Sequence, residues 1–524
     1  MKKWVIGLLL ILFASSVSLG LGQEKAPDPG KLYDAATELF HRGRYEEAGN
    51  RFFRLIQTFH TSRLVSYSQY MIGQCHLKME RYEEAIQQFE LYLKTYPEGD
   101  RVKEAEEGVQ MSRERLKEKI PPRSLQATAP MEETKVMSAV SKNPTQLEGK
   151  SPEVREVKRR VCAQVFYFDG KDLGEVEKRV RALKNAGVDT LILRVFQNRG
   201  DRMYKFVTPR HEEGVYFQTD YAPVVDDVLG KLAEIVHRNG LHIFAWMTTR
   251  YANCGLQGRP EFQCKRYNFE TKKIEMARGL NLFHPDVLKR LEGLFRDLGR
   301  YPIDGILFQD DLILRHNEDF GTEANKAYLK EFGYLPHPDL LYVDPYKSES
   351  GKYYVKAYTD QFWQWAHWKN RWLMNVAKQL MAAAKESNPT LRFGINLYYE
   401  SILNHSNSVA WFSQTLSEAL EKNFDYYAIM AYHRQTMKEL NLEEKRAIDL
   451  MAEVAEKAVK SVGDPSRVLM KVQILDWKSY EVIPTREVEA VLDGILSQGK
   501  VSLAFVPYID QFPLHRLKGK WTTK

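Results

Sequence analysis

From Val161 onward, short apolar runs alternate with stretches whose apolar residues recur every three or four positions. The first pattern predicts buried strands, and the second predicts helices with one face on a core. Strands are expected over 161–168, 190–196, 242–248, a run from 303 that stops at Gln309-Asp310-Asp311, 391–397, 425–431, 467–474 and 501–506. Helices are expected over 173–186, 222–239, 285–298, 356–387, 409–422, 442–462 and 485–498. Gly187, Gly240 and Gly499 stand where a helix ends and a strand returns, which is helix C-cap chemistry. This succession predicts an α/β fold, a parallel (β/α)8 TIM-type barrel over 159–515, with an open doubly wound sheet as the alternative.

Residues 31–119 are helical in pattern throughout. Arg44-Tyr45-Glu46-Glu47-Ala48 recurs as Arg81-Tyr82-Glu83-Glu84-Ala85, 37 positions on (81 − 44). At the same offset Ala36 matches Gly73, Phe52 matches Phe89 and Phe59 matches Tyr96. Small residues let helices approach, and aromatics fill the seams between them. The pattern resembles tetratricopeptide repeats, whose period is about 34 residues. It predicts an N-terminal all-α tetratricopeptide-like domain, which serves to bind a partner or polymer, or serves as a spacer. Residues 120–158 are rich in Pro, Ser, Thr, Glu and Lys and are expected to be a flexible linker. Residues 1–22 read as a signal peptide: Lys2 and Lys3, a mostly apolar stretch from Trp4 to Val17, then small Ser18, Gly20 and Gly22. A periplasmic or secreted protein is expected, with an uncleaved N-terminal anchor as the alternative.

Composition narrows the function. The net charge of +7 over 524 residues is spread along the chain, with no long basic block interleaved with aromatics, so nucleic acid is not an expected partner. There are four cysteines. In an oxidising compartment Cys254 and Cys264 are expected to form a disulfide across one loop. Cys75 and Cys162 lie in apolar patterns and are expected as buried thiols. The spacings fit no zinc motif and there is no HExxH, so neither a metal nor a cofactor is expected.

The candidate chemistry centres on IDGILFQDDLILRHNED, 303–319. A buried strand would carry Asp310 and Asp311 to its C-terminal end, where barrel enzymes place catalytic groups. Glu318 and Asp319 follow where the next loop could fold back. Asp310 shares strand parity with Asp304, Ile306 and Phe308, so one acid of the pair should face the cleft and the other should brace it. The other strand ends bring Asp169; Arg194 and Gln197; Trp246 and Thr248; Asn396, Tyr398 and Glu400; Tyr432 and His433; Gln473, Asp476 and Trp477; and Tyr508 and Asp510. Aromatics, amides and carboxylates in one cleft suit sugars. Glycosidic cleavage needs one protonated and one ionised carboxyl group, and crowding acids together separates their pKa values.

Ala245-Trp246-Met247, Phe283-His284-Pro285, IDGILFQDD with Glu318-Asp319, Ala410-Trp411-Phe412, Gln473 with Asp476-Trp477, Ile483-Pro484 and Pro507 occur in that order across the barrel region. On these segments residues 161–515 resemble the C-terminal glycoside hydrolase domains of the PgaB family, which process poly-β-1,6-N-acetylglucosamine. The resemblance implies endo-hydrolysis of the partially de-N-acetylated polymer, a biofilm exopolysaccharide. It assigns catalysis to Asp310, Asp311 and Glu318, and sugar contacts are expected from Asp169, Arg194, Trp246, Asn396, Tyr398, Tyr432, Gln473, Asp476, Trp477 and Tyr508. An envelope or export protein is the partner expected for the repeats. The chain departs from the family in three ways. Helical repeats replace the usual deacetylase domain, so no deacetylation is expected; Ala163 and Val165 stand where acids are expected; and Gln309 replaces a histidine. A polysaccharide-binding accessory protein without turnover, and a hydrolase of another envelope glycan, remain the alternatives.

Overall fold

The computed structural model describes residues 29–58, 64–97, 99–119, 156–348 and 351–522. The expected signal peptide and nearly all of the expected linker lie outside them. The chain divides into two compact units, one on either side of residues 153–154.

Among the described residues the first unit has five helices, Pro29–His41, Tyr45–Thr58, Leu64–Lys78, Tyr82–Thr95 and Val102–Lys119, each packed on the next. The matched positions Ala48 and Ala85, and Phe52 and Phe89, occupy equivalent seams, while Phe59 lies outside the described residues. Ala48 and Phe52 are buried with Ala36, and Ala85 and Phe89 are buried with Ala105. A Cβ added at Gly73 would come within 2.6 Å of the Phe89 ring, which is why a small residue is needed at that seam.

The second unit is a closed barrel of eight parallel strands. They are β1 (Val161–Val165), β2 (Thr190–Arg194), β3 (His242–Met247), β4 (Gly305–Phe308), β5 (Arg392–Leu397), β6 (Tyr426–Ala431), β7 (Val468–Gln473) and β8 (Ser502–Val506). Nearly every residue of these strands is buried, because one face meets the helices and the other the barrel interior. The lower interior is filled by Cys162, Ile192, Phe244, Leu307, Tyr426 and Leu469. One pleat higher the same strands present Gln164, Arg194, Trp246 and Lys471, so the apolar plug gives way to a polar floor. At the opposite, N-terminal end, Asp304 accepts from Ile243 N at 2.8 Å and pairs with His237 at 2.8 Å and His242 at 2.9 Å, tying β3 to β4.

Helix starts follow local chemistry. Asp172 caps Leu173–Asn185, His284 caps Pro285–Leu298, and Thr359 caps the 28-residue helix Asp360–Ser387. Two expected helices differ. The one expected over 222–239 begins at Leu229, because the chain before it runs extended and Val225 N bonds Val215 O at 2.9 Å. The one expected over 409–422 breaks into His405–Phe412 and Leu416–Leu420. Ser413 turns left-handed there (φ 48°) so that its hydroxyl can reach Leu314 O at 3.0 Å. Two hairpins, Gln263–Leu280 and Tyr342–Tyr358, are inserted on either side of β4 in sequence. The C-terminal helical segment Gly519–Thr522 runs past the expected end at 515, and Trp521 packs on Phe505 with ring centroids 5.1 Å apart.

The expected Cys254–Cys264 disulfide is not formed; all four cysteines are free thiols. Cys264 is buried in the barrel core beside Arg250 (3.5 Å), whereas the backbone of Cys254 is held by Arg290, which donates to its carbonyl at 2.9 Å. Cys75 and Cys162 are buried.

A Cβ at Gly305 would meet Arg392 O at 2.6 Å and the Phe244 ring at 2.7 Å. Gly305→Ala is expected to cost roughly 1–3 kcal/mol through overpacking, read as a lower urea midpoint. An unchanged midpoint would mean that β4 can shift without cost.

Candidate active site

Three hollows adjoin at the C-terminal mouth of the barrel. The central one, of about 80 Å³, is lined by Gln164, Phe166, Arg194, Trp246, Asp310 and Lys471 among others. A larger one, of about 530 Å³, shares Tyr251 and Arg278 with it and carries Glu318, Tyr398, Glu400, Trp411, Phe412 and Glu439. A third, of about 160 Å³, shares Phe166, Arg194, Asp201 and Trp477 with the centre and reaches out to Asp169 and Tyr508. The small central hollow thus joins the two wider ones through shared walls.

Asp310 lies half-buried on the central wall. No hydrogen bond among the described residues occupies its carboxylate, while its main-chain carbonyl accepts from Tyr398 OH at 3.4 Å. Asp311 has the opposite fate. It is buried and accepts from the Thr248 hydroxyl (2.6 Å), the Thr249 hydroxyl (2.8 Å), Thr249 N (2.9 Å) and Tyr251 N (2.8 Å). Burial pushes its pKa up, against these bonds. Asp311 therefore braces the loop after β3, and the expectation that it takes part in catalysis is corrected. Strand parity does not predict this division. Leu307 faces the barrel interior and Phe308 stacks outward on Phe295 at 5.3 Å, but β4 ends at Phe308 and the alternation stops there.

Glu318 also falls short of a free catalytic acid. Its carboxylate pairs with buried Arg250 at 2.7 Å and accepts from Arg315 N at 3.1 Å. Arg250 reaches on to Ile313 O (3.1 Å) and Arg278 O (3.0 Å), so the pair staples three segments of the rim. Buried Lys369 donates to the carbonyls of Arg315 (2.9 Å) and Glu318, and burial lowers its pKa to about 7. Asp319 is tied to Lys265 N (3.1 Å) and Gly321 N (2.6 Å), and burial raises its pKa to about 6.

A further carboxyl group of the mouth is Glu400, just past β5, which lines the larger hollow. Burial, with added repulsion from Glu439, raises its pKa to about 7, and its Oε2 is buried with no hydrogen-bond partner. Glu439 is held by Gln435 (2.8 Å) and Tyr399 (3.2 Å). Tyr398 feels the charge of both Asp310 and Glu400, which places it within electrostatic reach of each. It stacks flat on Phe412, 4.0 Å between centroids, and His316 stacks on Trp411 at 4.3 Å.

Of the expected sugar contacts, Arg194, Trp246, Tyr432 and Trp477 line the central hollow, and Tyr398 lines the larger one. Trp246 lies against Phe166 with centroids 4.7 Å apart, and Arg194 pairs with Asp201. Asp169 and Tyr508 line the outer hollow; Asp169 is bound by Arg202 (2.8 Å) and Lys205 (2.6 Å), and Tyr508 donates to Asp510 at 2.8 Å. Three expectations are corrected. Asn396 is buried inside the barrel, bonded to Phe308 O and to Lys471, both at 2.8 Å. Gln473 is buried and donates to Leu475 O at 2.8 Å. Asp476 is occupied by Lys438 at 2.8 Å and by Lys478 N at 2.8 Å; these contacts outweigh its burial and hold its pKa down to about 2. Sequence reasoning overlooked Lys471, Tyr251, Arg278 and Arg315. Only Lys471 left a readable sign, as a lone charge within the apolar run Val468–Gln473.

Residues 171–506 match the hypothetical glycosyl hydrolase family 13 (GHL13). The chain belongs to that family. Its barrel is accordingly a glycoside hydrolase barrel. Among solved structures, the GHL13 chain is similar to the glycoside hydrolase domain of PgaB (BpsB) from Bordetella bronchiseptica, with a TM-score of 0.54, 18% identity, and cover of 70% of this chain and 99% of that domain. It is also similar to the poly-beta-1,6-N-acetyl-D-glucosamine N-deacetylases of Escherichia coli K12 and O157:H7, each 26% identical over 298 residues, or 54% of this chain. The chain spans 39% of the length of each of these relatives.

Two substitutions should act through stability. Asp311→Ala strands four buried donors and is expected to cost roughly 3 kcal/mol, with Asp311→Asn less damaging. Arg250→Met leaves Glu318 buried without its cation and is expected to cost about 3–5 kcal/mol. Chemical denaturation of both checks this; wild-type midpoints would mean that water replaces the lost partners.

Proposed function

We propose that this protein is an exported endo-glycosidase of partially de-N-acetylated poly-β-1,6-N-acetylglucosamine. The observation that carries the reading is the position of Asp310, an uncommitted carboxylate in a narrow hollow that widens at both ends. A polymer threaded through such a mouth has units on both sides of the bond beside Asp310, as internal cleavage needs. The wide end offers Trp411, Tyr398 and Phe412 for sugar faces, and the far end offers Trp477 and Tyr508. Similarity to a PgaB glycoside hydrolase domain and to poly-N-acetylglucosamine deacetylases supports the choice of polymer.

In this reading Asp310 is the ionised partner, base or nucleophile, and Glu400 is the acid. A carboxyl with a pKa near 7 is about half protonated at neutral pH, and that protonated fraction can give its proton to the leaving oxygen. The N-terminal repeats would hold the polymer or an export component, and residues 1–22 would direct export.

The test is mass spectrometry of products from the purified protein and this polymer, beside Asp310→Asn and Glu400→Gln. Wild type should release oligosaccharides, and each variant should lose about 10²–10⁴-fold in rate. Because Glu400 acts while protonated, wild-type activity should fall as pH rises through about 7, and that limb should be absent from the residual Glu400→Gln rate. Polymer bound but left intact by the wild type would instead identify a binding protein without turnover. Cleavage of a different envelope glycan alone would overturn the substrate assignment.

A further inference from the structure

We infer that Tyr346 and Tyr354, a stacked pair at the outer end of the hairpin Tyr342–Tyr358, form a distal glycan-binding platform that holds sugar units remote from the cleaved bond. The inference rests on the reading of the mouth as an endo-glycosidase cleft, and it adds a preference for long chains. The hairpin is an antiparallel pair of strands, Tyr342–Lys347 and Tyr353–Tyr358. Its register sets Tyr342 opposite Tyr358 and Tyr346 opposite Tyr354. Within each strand the two tyrosines are an even number of positions apart, so all four rings stand on one face of the hairpin. The inner pair belongs to the barrel core. Tyr342 is buried and its hydroxyl donates to His316 O at 2.7 Å, while Tyr358 OH bonds His316 Nδ1 at 3.0 Å. The outer pair is stacked, with centroids 5.9 Å apart, yet Tyr346 is 52% exposed and Tyr354 is half-buried. Core packing therefore does not account for two large rings at that end.

Tyr354 borders the larger hollow of about 530 Å³, together with Trp411 and Tyr398. Two contacts hold the hairpin against it. His316, which receives both inner tyrosines, stacks on Trp411 at 4.3 Å. Lys347 pairs with Glu270 of the other inserted hairpin at 2.7 Å. A pyranose presents a flat apolar face that suits an aromatic ring, and hydroxyls at its edge that suit amides. The hollow offers both, since Asn268, Asn317 and Asn407 line it beside the rings. It meets the central hollow, of about 80 Å³, through Tyr251 and Arg278, so a chain cleaved beside Asp310 runs on into it. Units that far along take no part in bond breaking. Their contribution is binding energy that only a longer chain can supply. A cross-strand aromatic pair also steadies a hairpin, so binding must be read beside stability.

Two readouts test this on the full-length protein. The first is titration calorimetry with partially de-N-acetylated poly-β-1,6-N-acetylglucosamine, in an Asp310→Asn background that spares the polymer. Adding Tyr354→Ala should weaken binding about tenfold, and Tyr354→Phe, which keeps the ring, should restore most of it. The second is the ratio of kcat/KM on the polymer to kcat/KM on a trisaccharide. Tyr354→Ala should lower that ratio about tenfold, whereas a merely structural role would lower both rates together. Thermal melts establish that the variants are folded; Tyr346→Ala, which alters an exposed ring and should act in the same direction, stands in if Tyr354→Ala is not. A ratio equal to that of the wild type would overturn the inference. So would unaltered glycan binding with a loss of self-association in light scattering, which would assign the pair to a second copy of this chain. Tyr354-dependent binding in a wild type that cleaves no glycan would leave the platform standing and remove the hydrolase reading. Neither binding nor cleavage of the polymer would overturn both.

Discussion

A buried carboxyl group needs hydrogen-bond donors in place of its water shell, and Asp311 has four, from Thr248, Thr249 and Tyr251. The geometry of the barrel mouth depends on this. The Asp311 bonds join the end of β4 to the turn after β3, and they place Tyr251 where the central and larger hollows meet. They also settle which acid of the adjacent pair stays free. With Asp311 anchored behind the strand end, Asp310 is left on the cleft wall with no hydrogen bond to its carboxylate among the described residues.

The charges around the site fall into committed and uncommitted groups. Glu318 with Arg250, Arg194 with Asp201, and Asp476 with Lys438 are closed pairs whose work is to hold loops in place. Such pairs seldom add much stability over an apolar substitute, but removing one partner is expensive. Asp310, Glu400 and Lys471 are different. One carboxylate is uncommitted, one carboxyl has its pKa raised by burial, and one buried ammonium is held by a single amide. Perturbed groups that converge in a cleft are the usual mark of acid–base chemistry. The closed pairs supply the rigidity that chemistry of this kind requires.

Much of the architecture was legible in the sequence. Alternating apolar runs located all eight barrel strands, because strands buried on both faces leave continuous apolar segments. The 37-residue offset located the two equivalent seams of the N-terminal helices, because their packing needs a small residue facing an aromatic at fixed places. Gly187 and Gly240 do turn left-handed, at φ 85° and 69°, where helices return to strands. The same apolar pattern cannot show a break made by long-range bonds. For that reason the helix around Ser413 was expected to continue and does not.

The strand ends that deliver Asp310, Trp246, Tyr398, Tyr432 and Trp477 to one mouth were likewise readable from the sequence, since barrel topology fixes which ends come together. Whether a polar side chain there is free or already bonded could not be read, because partners distant in the chain decide it. Asp311, Glu318, Asn396 and Asp476 looked like site residues, and each is taken up by a partner at least 38 positions away. Cys254 and Cys264 looked close enough to bridge, but one is buried beside Arg250 and the other is held by Arg290. Glu400 and Lys471 gain their character from burial and from the charges they face. The chain order of the residues therefore determined the barrel and the acids it could offer, and tertiary contacts decided which of those acids remain available for chemistry.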